Sequence, residues 1–369
     1  MQNVVIYPGA IIELQATLMH LKKHKVFLVT GKKSFESCSA KKKLQWLFND
    51  NEVTHFHDFQ INPDSNDVIK GVRLFNNSNC KIIVSVGGGS VVDMAKLINY
   101  FHNSGIENIE DSDTVINNPE LVTHICLPTT AGSGAEATHF AVMYIGNTKY
   151  SIAHSNLIPD YIIIDPELHY SQTPYQKAVS GVDALAQSIE SFWSVQSTEE
   201  SRLYSQKALE LVWNNLGKAV HESDESAHLK LAIGANMAGR AINIAKTTAP
   251  HALSYGFTKY AGLPHGHAVA LTLPYFLGAH SQIKEENCND KRGVEHVLMV
   301  IEIIAKIMNC KKNKLESTLI NFFNDNNIET NFEVLKISNE VIQRVCNKIN
   351  KERLTNNPMK FLQKGNHIV

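Results

Sequence analysis

Between Cys80 and Phe101 a strand-like run, CKIIVSV, breaks into Gly87-Gly88-Gly89-Ser90 and resumes as the helix-like VVDMAKLINYF. Few local features restrict a fold as much. An apolar run that ends in consecutive glycines and re-enters as a helix reads as part of a βαβ series, which builds a parallel sheet with helices on its faces. The alternation extends over the first half of the chain. Val26–Thr30 reads as a buried strand ending at Gly31, residues from about Ser34 to Asn49 as a helix, Val53–Phe59 as a second strand and Asn66–Asn76 as a helix. His124–Leu127 adds a further short strand. Ligands of such sheets bind beyond the carboxyl ends of the strands.

The pattern changes near Ile162–Pro166. Beyond about Gln176 the segments 176–194, 198–222, 226–246, 249–258, 266–283, 293–309 and 312–325 read as helices. The expected organisation is an α/β domain over residues 1–167 and an all-α domain over 168–369. A chain of 369 residues accommodates two domains at roughly 150 residues each. The last ninety residues, rich in Asn, Lys and Ile, read as amphipathic helices without evident chemistry.

Charge narrows the partners. A net charge of -1 argues against nucleic acid or an anionic membrane as the main partner. A small anionic substrate stays compatible, because a local cationic pocket needs no global excess. The six cysteines are scattered and none forms a C-x-x-C pair, which argues against a zinc ribbon, a redox pair or a disulfide framework. No run approaches the roughly 18 apolar residues that span a bilayer. A cytoplasmic protein is expected.

Four stretches carry chemistry. The glycines at 87–89 let backbone N–H groups approach a phosphate at a helix N-terminus, and Ser90 adds a hydroxyl donor. Alone, the run is equally a tight strand-to-helix turn. CLPTTAGSGAEAT sets Thr129, Thr130 and Ser133 among glycines after a strand, which suits diphosphate or ribose contacts as well as an ordinary capped loop. One extended nucleotide explains the two loops together. In GVDALAQSIES, Asp183 and Gln187 share one helix face. A buried carboxylate there needs a partner, either a cation or a hydrogen bond from the amide. Finally, KTTAPHALSYGFTKYAGLPHGHAVALTLPY places His251, His265 and His267 in one apolar neighbourhood, where neutral imidazoles can ligate a metal or move a proton.

In this order, GGGSVVDMAK, LPTTAGSGAEAT, GVDALAQSIESFWS and HALSYGF…GLPHGHAVA resemble the iron-containing (group III) alcohol dehydrogenases, from about residue 5 to about residue 285. The resemblance implies a Rossmann-like N-terminal domain and a helical C-terminal domain, an architecture shared with dehydroquinate synthase. It also implies a nicotinamide cofactor and a divalent metal, Fe2+ or Zn2+, in the cleft between the domains. Gly87, Gly88, Gly89 and Ser90, with Asp93 just inside the helix, match the family's pyrophosphate loop. Thr129, Thr130 and Ser133 match its second cofactor loop, and Lys149 a lysine near the nicotinamide ribose. Asp183 and His265 match metal ligands, and His251 the histidine that lies near the substrate and relays protons.

Two positions depart from that pattern. Gln187 stands where the family commonly has a second histidine ligand, and Thr247 where it has a third. An amide oxygen is a harder and weaker ligand than imidazole. The departures leave three expectations open: weak metal binding, a rearranged site that recruits His251 or His267, or no metal, with one of those histidines then donating the proton.

Within the family, AINIAKTTAPHALSY…GLPHGHA and KYSIAHSNLIPDYIIIDP look most like the members that reduce phosphonoacetaldehyde to 2-hydroxyethylphosphonate. This implies a small anionic aldehyde whose head meets cationic groups, for which Lys149, His154, Arg240 and Lys246 are candidates. Gly31 stands where relatives that reject NADP place an aspartate, and Lys32 and Lys33 could pair with a 2′-phosphate. NADP(H) is therefore expected to bind, with NAD(H) as the alternative. A homodimer is expected from the resemblance. The competing readings are a different short-chain alcohol dehydrogenase or aldehyde reductase of this family, a lyase of the dehydroquinate synthase type, and a non-catalytic nucleotide-binding protein whose metal site has decayed.

Overall fold

The computed structural model describes residues 2–22, 25–103, 121–146, 148–222, 224–349 and 351–360, with two dipeptide strands at 363–364 and 367–368. The chain divides into two compact units, Met1–Gln172 and Thr173–Val369.

The first unit runs β1 (Asn3–Ile6), α1 (Glu13–Leu21), β2 (Lys25–Thr30), α2 (Ser34–Ser37), α3 (Ala40–Lys43), α4 (Gln45–Asp50) and β3 (Glu52–Phe56). It continues with α5 (Ser65–Ser78), β4 (Ile82–Gly87), α6 (Gly89–Phe101), β5 (Thr123–Pro128), β6 (Phe140–Ile145), β7 (Thr148–Ala153) and β8 (Tyr161–Ile164). Six strands form one sheet in the order β1-β8-β5-β4-β2-β3, and every neighbouring pair is parallel. β6 and β7 form a separate antiparallel hairpin.

Alternate residues of β2 feed opposite faces, as a strand's two-residue period requires. Val26 and Leu28 pack with Leu14, Leu44 and Leu47 on one side. Phe27 and Val29 pack with Met94, Leu97 and Ile98 on the other. Both faces are covered, which is why these strands read as continuous apolar runs. The chain passes from β2 outward to β3 and returns as β4 on the other side of β2. The strand order therefore reverses between β2 and β4, whose carboxyl ends lead to Gly31 and the triple glycine. Open α/β sheets bind ligands at such a point.

One expected helix is broken. Residues 34–49 form three short helices, because Cys38 is extended at φ -91°, ψ 162° and Leu44 leaves the helical region at φ -100°, ψ 13°. Ser37, Cys38 and Ser39 are weak helix formers, and the Ser37 hydroxyl bonds back to Ser34 O at 3.2 Å. The strand expected at 53–59 ends earlier, at Phe56.

The second unit holds α7 (Pro174–Trp193), α8 (Glu199–His221), α9 (Glu225–Ala245), α10 (Ala249–Ala261), α11 (His265–Ala270) and α12 (Leu273–His280). Beyond these come α13 (Val294–Ile307), α14 (Leu315–Asp325), α15 (Asn339–Asn347), α16 (Lys351–Thr355) and a hairpin of β9 (Gln363–Lys364) and β10 (His367–Ile368). The α7 helix opens with a capping box between Thr173 and Gln176 and has proline in its first turn. The segment expected as one helix over 266–283 is two helices. Pro274 lacks an N–H and its ring opposes the carbonyl four residues earlier, so α11 stops at Ala270. Among the described residues no helix is long and apolar enough to cross a membrane, and all six cysteines are free.

Candidate functional site

The first unit gathers the two glycine-containing loops into one corner. Gly88 is the N-cap of α6, and no side chain caps the helix there. A helix start of this kind favours negative charge. A Cβ on Gly88 would lie 3.2 Å from Thr130 Cγ2, and one on Gly89 2.7 Å from Ser133 Oγ. The Thr129 N–H donates to Gly87 O at 3.0 Å. Gly31 ends β2 alongside, where a Cβ would meet Ser34 Oγ and Val91.

The remaining expected residues of this unit have protein partners. Ser90 Oγ accepts from the Asn62 N–H at 3.2 Å. Asp93 Oδ2 accepts from the Val142 N–H at 3.1 Å, tying α6 to the β6–β7 hairpin. Burial pushes the Asp93 carboxyl up to about 6, against the pull of Lys96 and Lys149. Lys149 lies on β7, opposite Tyr144. Lys32 pairs with Asp58 at 3.3 Å on the surface. His154 Nδ1 accepts from the Asn156 N–H at 3.2 Å as a helix cap.

The second unit assembles a different chemistry. Asp183, Gln187 and Glu190 follow one another at i, i+4 and i+7 on α7, which is one helix face. That face meets His251 at the start of α10 and His265 at the start of α11. Asp183, His251 and His265 each offer a ligand atom within 4.8 Å of the others. His251 Nε2 lies 3.3 Å and His265 Nε2 3.9 Å from Asp183 Oδ1. Asp183 and His251 are buried, while the His265 side chain is 37% exposed, so the cluster opens on the His265 side.

The tautomers follow from the outer partners. His251 Nδ1–H donates to Glu190 Oε1 in a very short contact. The other Glu190 oxygen accepts from the Thr248 N–H at 2.7 Å and from the Thr248 hydroxyl at 2.9 Å. The Ser254 hydroxyl donates to His251 O at 2.8 Å, so its oxygen is left to accept from His265 Nδ1–H at 3.4 Å. In their neutral form, the one that ligates a cation, both rings would keep the proton on Nδ1 and turn the Nε2 lone pair toward Asp183.

Electrostatics describe a site that demands positive charge. Burial alone would push the His251 imidazole down. Glu190 on one side and Asp183 on the other outweigh it and hold His251 up at about 10. Burial likewise opposes ionisation of Asp183, but the neighbouring His251, His265 and Gln187 keep it below its ordinary value. Neither Asp183 Oδ1 nor His251 Nε2 makes a well-formed hydrogen bond. With neutral imidazoles, two buried carboxylates would face no compensating charge, which is costly without a cation. One carboxylate and two imidazoles, with a carboxylate behind one of them, suit Fe2+ or Zn2+. These three residues could hold a divalent metal.

The structure separates His267 from this group. Its Nε2–H donates to Glu329 O at 2.6 Å, and its Nδ1 accepts from the Tyr175 hydroxyl at 2.8 Å. Thr247 Oγ1 accepts from Arg353 of α16 in a short contact. Arg240 is turned to Asn236 Oδ1 at 3.1 Å and to the Tyr204 ring. Lys246 ends α9 at φ 58° and is exposed. Glu190 was legible as the third member of the α7 face. Arg353 had no local signal, since it lies 106 residues from its partner.

Gly266 permits the approach of α11 to α7. A Cβ there would fall 2.1 Å from the Val179 carbonyl oxygen and 3.1 Å from Asp183 Cβ. A backbone carbonyl inside a helix cannot swing aside as a side chain can. Gly266→Ala should therefore lower stability by about 1–3 kcal/mol through overpacking and draw His265 away from Asp183. Denaturant midpoints and Zn2+ titration measure both effects. Unchanged values would show that the close approach is dispensable.

Comparison with known proteins places this geometry. Residues 2–166 match the family model described as iron-containing alcohol dehydrogenase, and residues 177–366 match the C-terminal model of the Fe-containing alcohol dehydrogenase family. The chain is 33% identical over 262 residues to phosphonoacetaldehyde reductase of Streptomyces viridochromogenes, covering 68% of this chain and 65% of that protein, just under two thirds of its length. NADPH-dependent butanol dehydrogenase of Clostridium saccharobutylicum is 26% identical, over 93% of this chain and 92% of its own. The crystal structure of sulfoacetaldehyde reductase from Bifidobacterium kashiwanohense in complex with NAD+ superposes with a TM-score of 0.85 at 28% identity, covering 97% of this chain and 93% of that one. With both halves matched in order, the chain belongs to the iron-containing alcohol dehydrogenase family.

Proposed function

We propose that this chain is a metal-assisted oxidoreductase that transfers hydride from NAD(P)H to a short aldehyde with an anionic head. The first choice of substrate is phosphonoacetaldehyde, giving 2-hydroxyethylphosphonate. The observation that carries the reading is the cluster of Asp183, His251 and His265, with Glu190 behind it, in a chain of this family. The choice of aldehyde is supported by two relatives named for phosphonoacetaldehyde and sulfoacetaldehyde. Both are two-carbon aldehydes that end in a tetrahedral oxyanion.

In this reading residues 1–167 bind the dinucleotide through Gly31, Lys32, Gly87, Gly88, Gly89, Ser90, Asp93, Thr129, Thr130, Ser133 and Lys149, and residues 168–369 hold the metal and substrate. When bound, the reduced nicotinamide supplies the hydride and the divalent ion the Lewis acidity that polarises the carbonyl. The chain's own part is to aim and fix. Asp183, His251 and His265 present one oxygen and two Nε2 atoms, and Gln187 steadies Asp183 from the same helix. Glu190 fixes the ring of His251, and Ser254 that of His265. A 2′-phosphate competes with Asp58 for Lys32, so both NADPH and NADH are expected to serve.

The test is a panel of phosphonoacetaldehyde, sulfoacetaldehyde, propanal and butanal with each reduced cofactor, followed by nicotinamide absorbance. The highest kcat/KM is expected for phosphonoacetaldehyde, with activity lost on chelation and restored by Fe2+ or Zn2+. Oxidation of neither cofactor with any short aldehyde would leave a nucleotide-binding protein. Full activity after exhaustive chelation would remove the metal from the proposal.

A further inference from the structure

We propose that Arg353 receives the anionic head of the substrate, an inference that rests on the reading of an anionic aldehyde above. Arg353 lies on α16, at the far end of the chain from the motifs, yet two lines of contact lead from it to the metal cluster. Its guanidinium lies over the Tyr255 ring, 5.5 Å from the centroid. That ring stacks on His265, with centroids 5.6 Å apart and planes 5° from parallel. On the other side, Nη1 donates to Thr247 Oγ1. Thr247 is followed by Thr248, which donates twice to Glu190, the group that holds His251.

The arginine is held in advance rather than left to search. Three residues on, the buried Asn356 donates to Ala245 O at 2.9 Å and Thr247 O at 3.1 Å. Its side-chain oxygen accepts from the Ser194 hydroxyl at 2.8 Å and the Gln196 N–H at 3.1 Å. The Val195 N–H donates to its backbone oxygen at 3.1 Å. These bonds pin the α16 segment to the ends of α7 and α9. Preorganisation lowers the entropy cost of binding.

The chemistry matches the head. A planar guanidinium offers paired N–H donors to the oxygens of a phosphonate or a sulfonate and keeps its charge at any working pH. Thr247 serves as its acceptor at a position where an imidazole would itself compete for the cation. Tyr255, which stacks on the part-exposed His265, is also the ring that Arg353 lies over.

The test compares wild type with Arg353→Met and Arg353→Lys. The ratio of kcat/KM for phosphonoacetaldehyde to kcat/KM for propanal should fall about 10–100-fold in Arg353→Met, chiefly through KM. Arg353→Lys should recover part of the loss, because it keeps the charge and loses the fork. An equal loss for charged and uncharged aldehydes, or no loss for either, overturns the proposal. Binding of 2-hydroxyethylphosphonate, measured by calorimetry on the same three proteins, separates this proposal from the activity reading. Arg353-dependent binding without aldehyde reduction upholds the anion site and sinks the activity. No binding to wild type sinks the anion site.

Discussion

Glu190→Gln should lower affinity for Zn2+ or Fe2+ by about 10–100-fold, although Glu190 touches no metal in the proposed arrangement. Every partner of this buried carboxylate among the described residues is a donor: His251 Nδ1–H, the Thr248 N–H, the Thr248 hydroxyl and, at 3.5 Å, the His251 N–H. An amide in its place must turn an NH2 toward one of them. If the amide nitrogen faces Thr248, two donors oppose each other in a dry site. If it faces His251, the imidazole must move its proton to Nε2, and the lone pair that faced Asp183 is lost. Either outcome weakens the cation site. Glu190→Ala removes the acceptor altogether, and stability should drop by roughly 3–5 kcal/mol, because the donors and His251 are left in a buried site. Metal titration of the purified variants and urea unfolding measure the two effects. Wild-type metal affinity in Glu190→Gln would show that His251 is not held for ligation.

Acidification should destabilise the fold steeply well above the usual carboxylate range. Burial, assisted by the nearby Lys96 charge, pushes His124 down to about 3, and burial pushes His280 down to about 3. His124 exchanges a hydrogen bond with the Ser85 hydroxyl at 2.8 Å. His280 Nε2 accepts from the Asn357 amide at 3.1 Å, a bond a second ring proton would abolish. The folded values lie below the ordinary 6.5, so the unfolded chain binds more protons as pH falls from about 6.5 toward 3. Their stabilising contribution is complete above that window and is lost through it. Two protons correspond to about 2.7 kcal/mol per pH unit, so roughly 5 kcal/mol is lost between pH 6.5 and 4.5. That rivals the total stability of a typical domain, about 5–15 kcal/mol.

Asp93, raised to about 6, takes up a proton in the folded state and offsets one of these below that pH. His55 and His228, both lowered to about 4, act in the same direction as the first two. Urea midpoints at pH 7, 6 and 5 measure the slope. A flat profile down to pH 5 would show that these rings are charged or hydrated in the fold. A His124→Gln variant should remove one proton from the slope.

Much of the frame can be read along the chain because its causes are local. The two-residue period of β2 and the glycines after β4 identify a sheet that binds at its carboxyl edge. The helical period places Asp183 and Gln187 on one face, and the same period carries Glu190, although a glutamate in an apolar segment gives no sign of what lies opposite. Breaks in the expected helices also had local causes, Pro274 in one case and the Ser-Cys-Ser run in the other.

The contested positions were decided elsewhere. Two histidines in one short turn look alike in sequence, yet His265 faces Asp183 while His267 is consumed by Tyr175 and Glu329. Thr247 read as a lost ligand and proves to be the acceptor for Arg353, from a tail that read as featureless. The amino-acid order by itself determined the elements, their sequence and the side chains each helix turns one way, since these follow from backbone periods a few residues long. Which imidazole meets which carboxylate, and which arginine donates to Thr247, depended on helices that are distant in the chain packing together, and no short-range period encodes that contact.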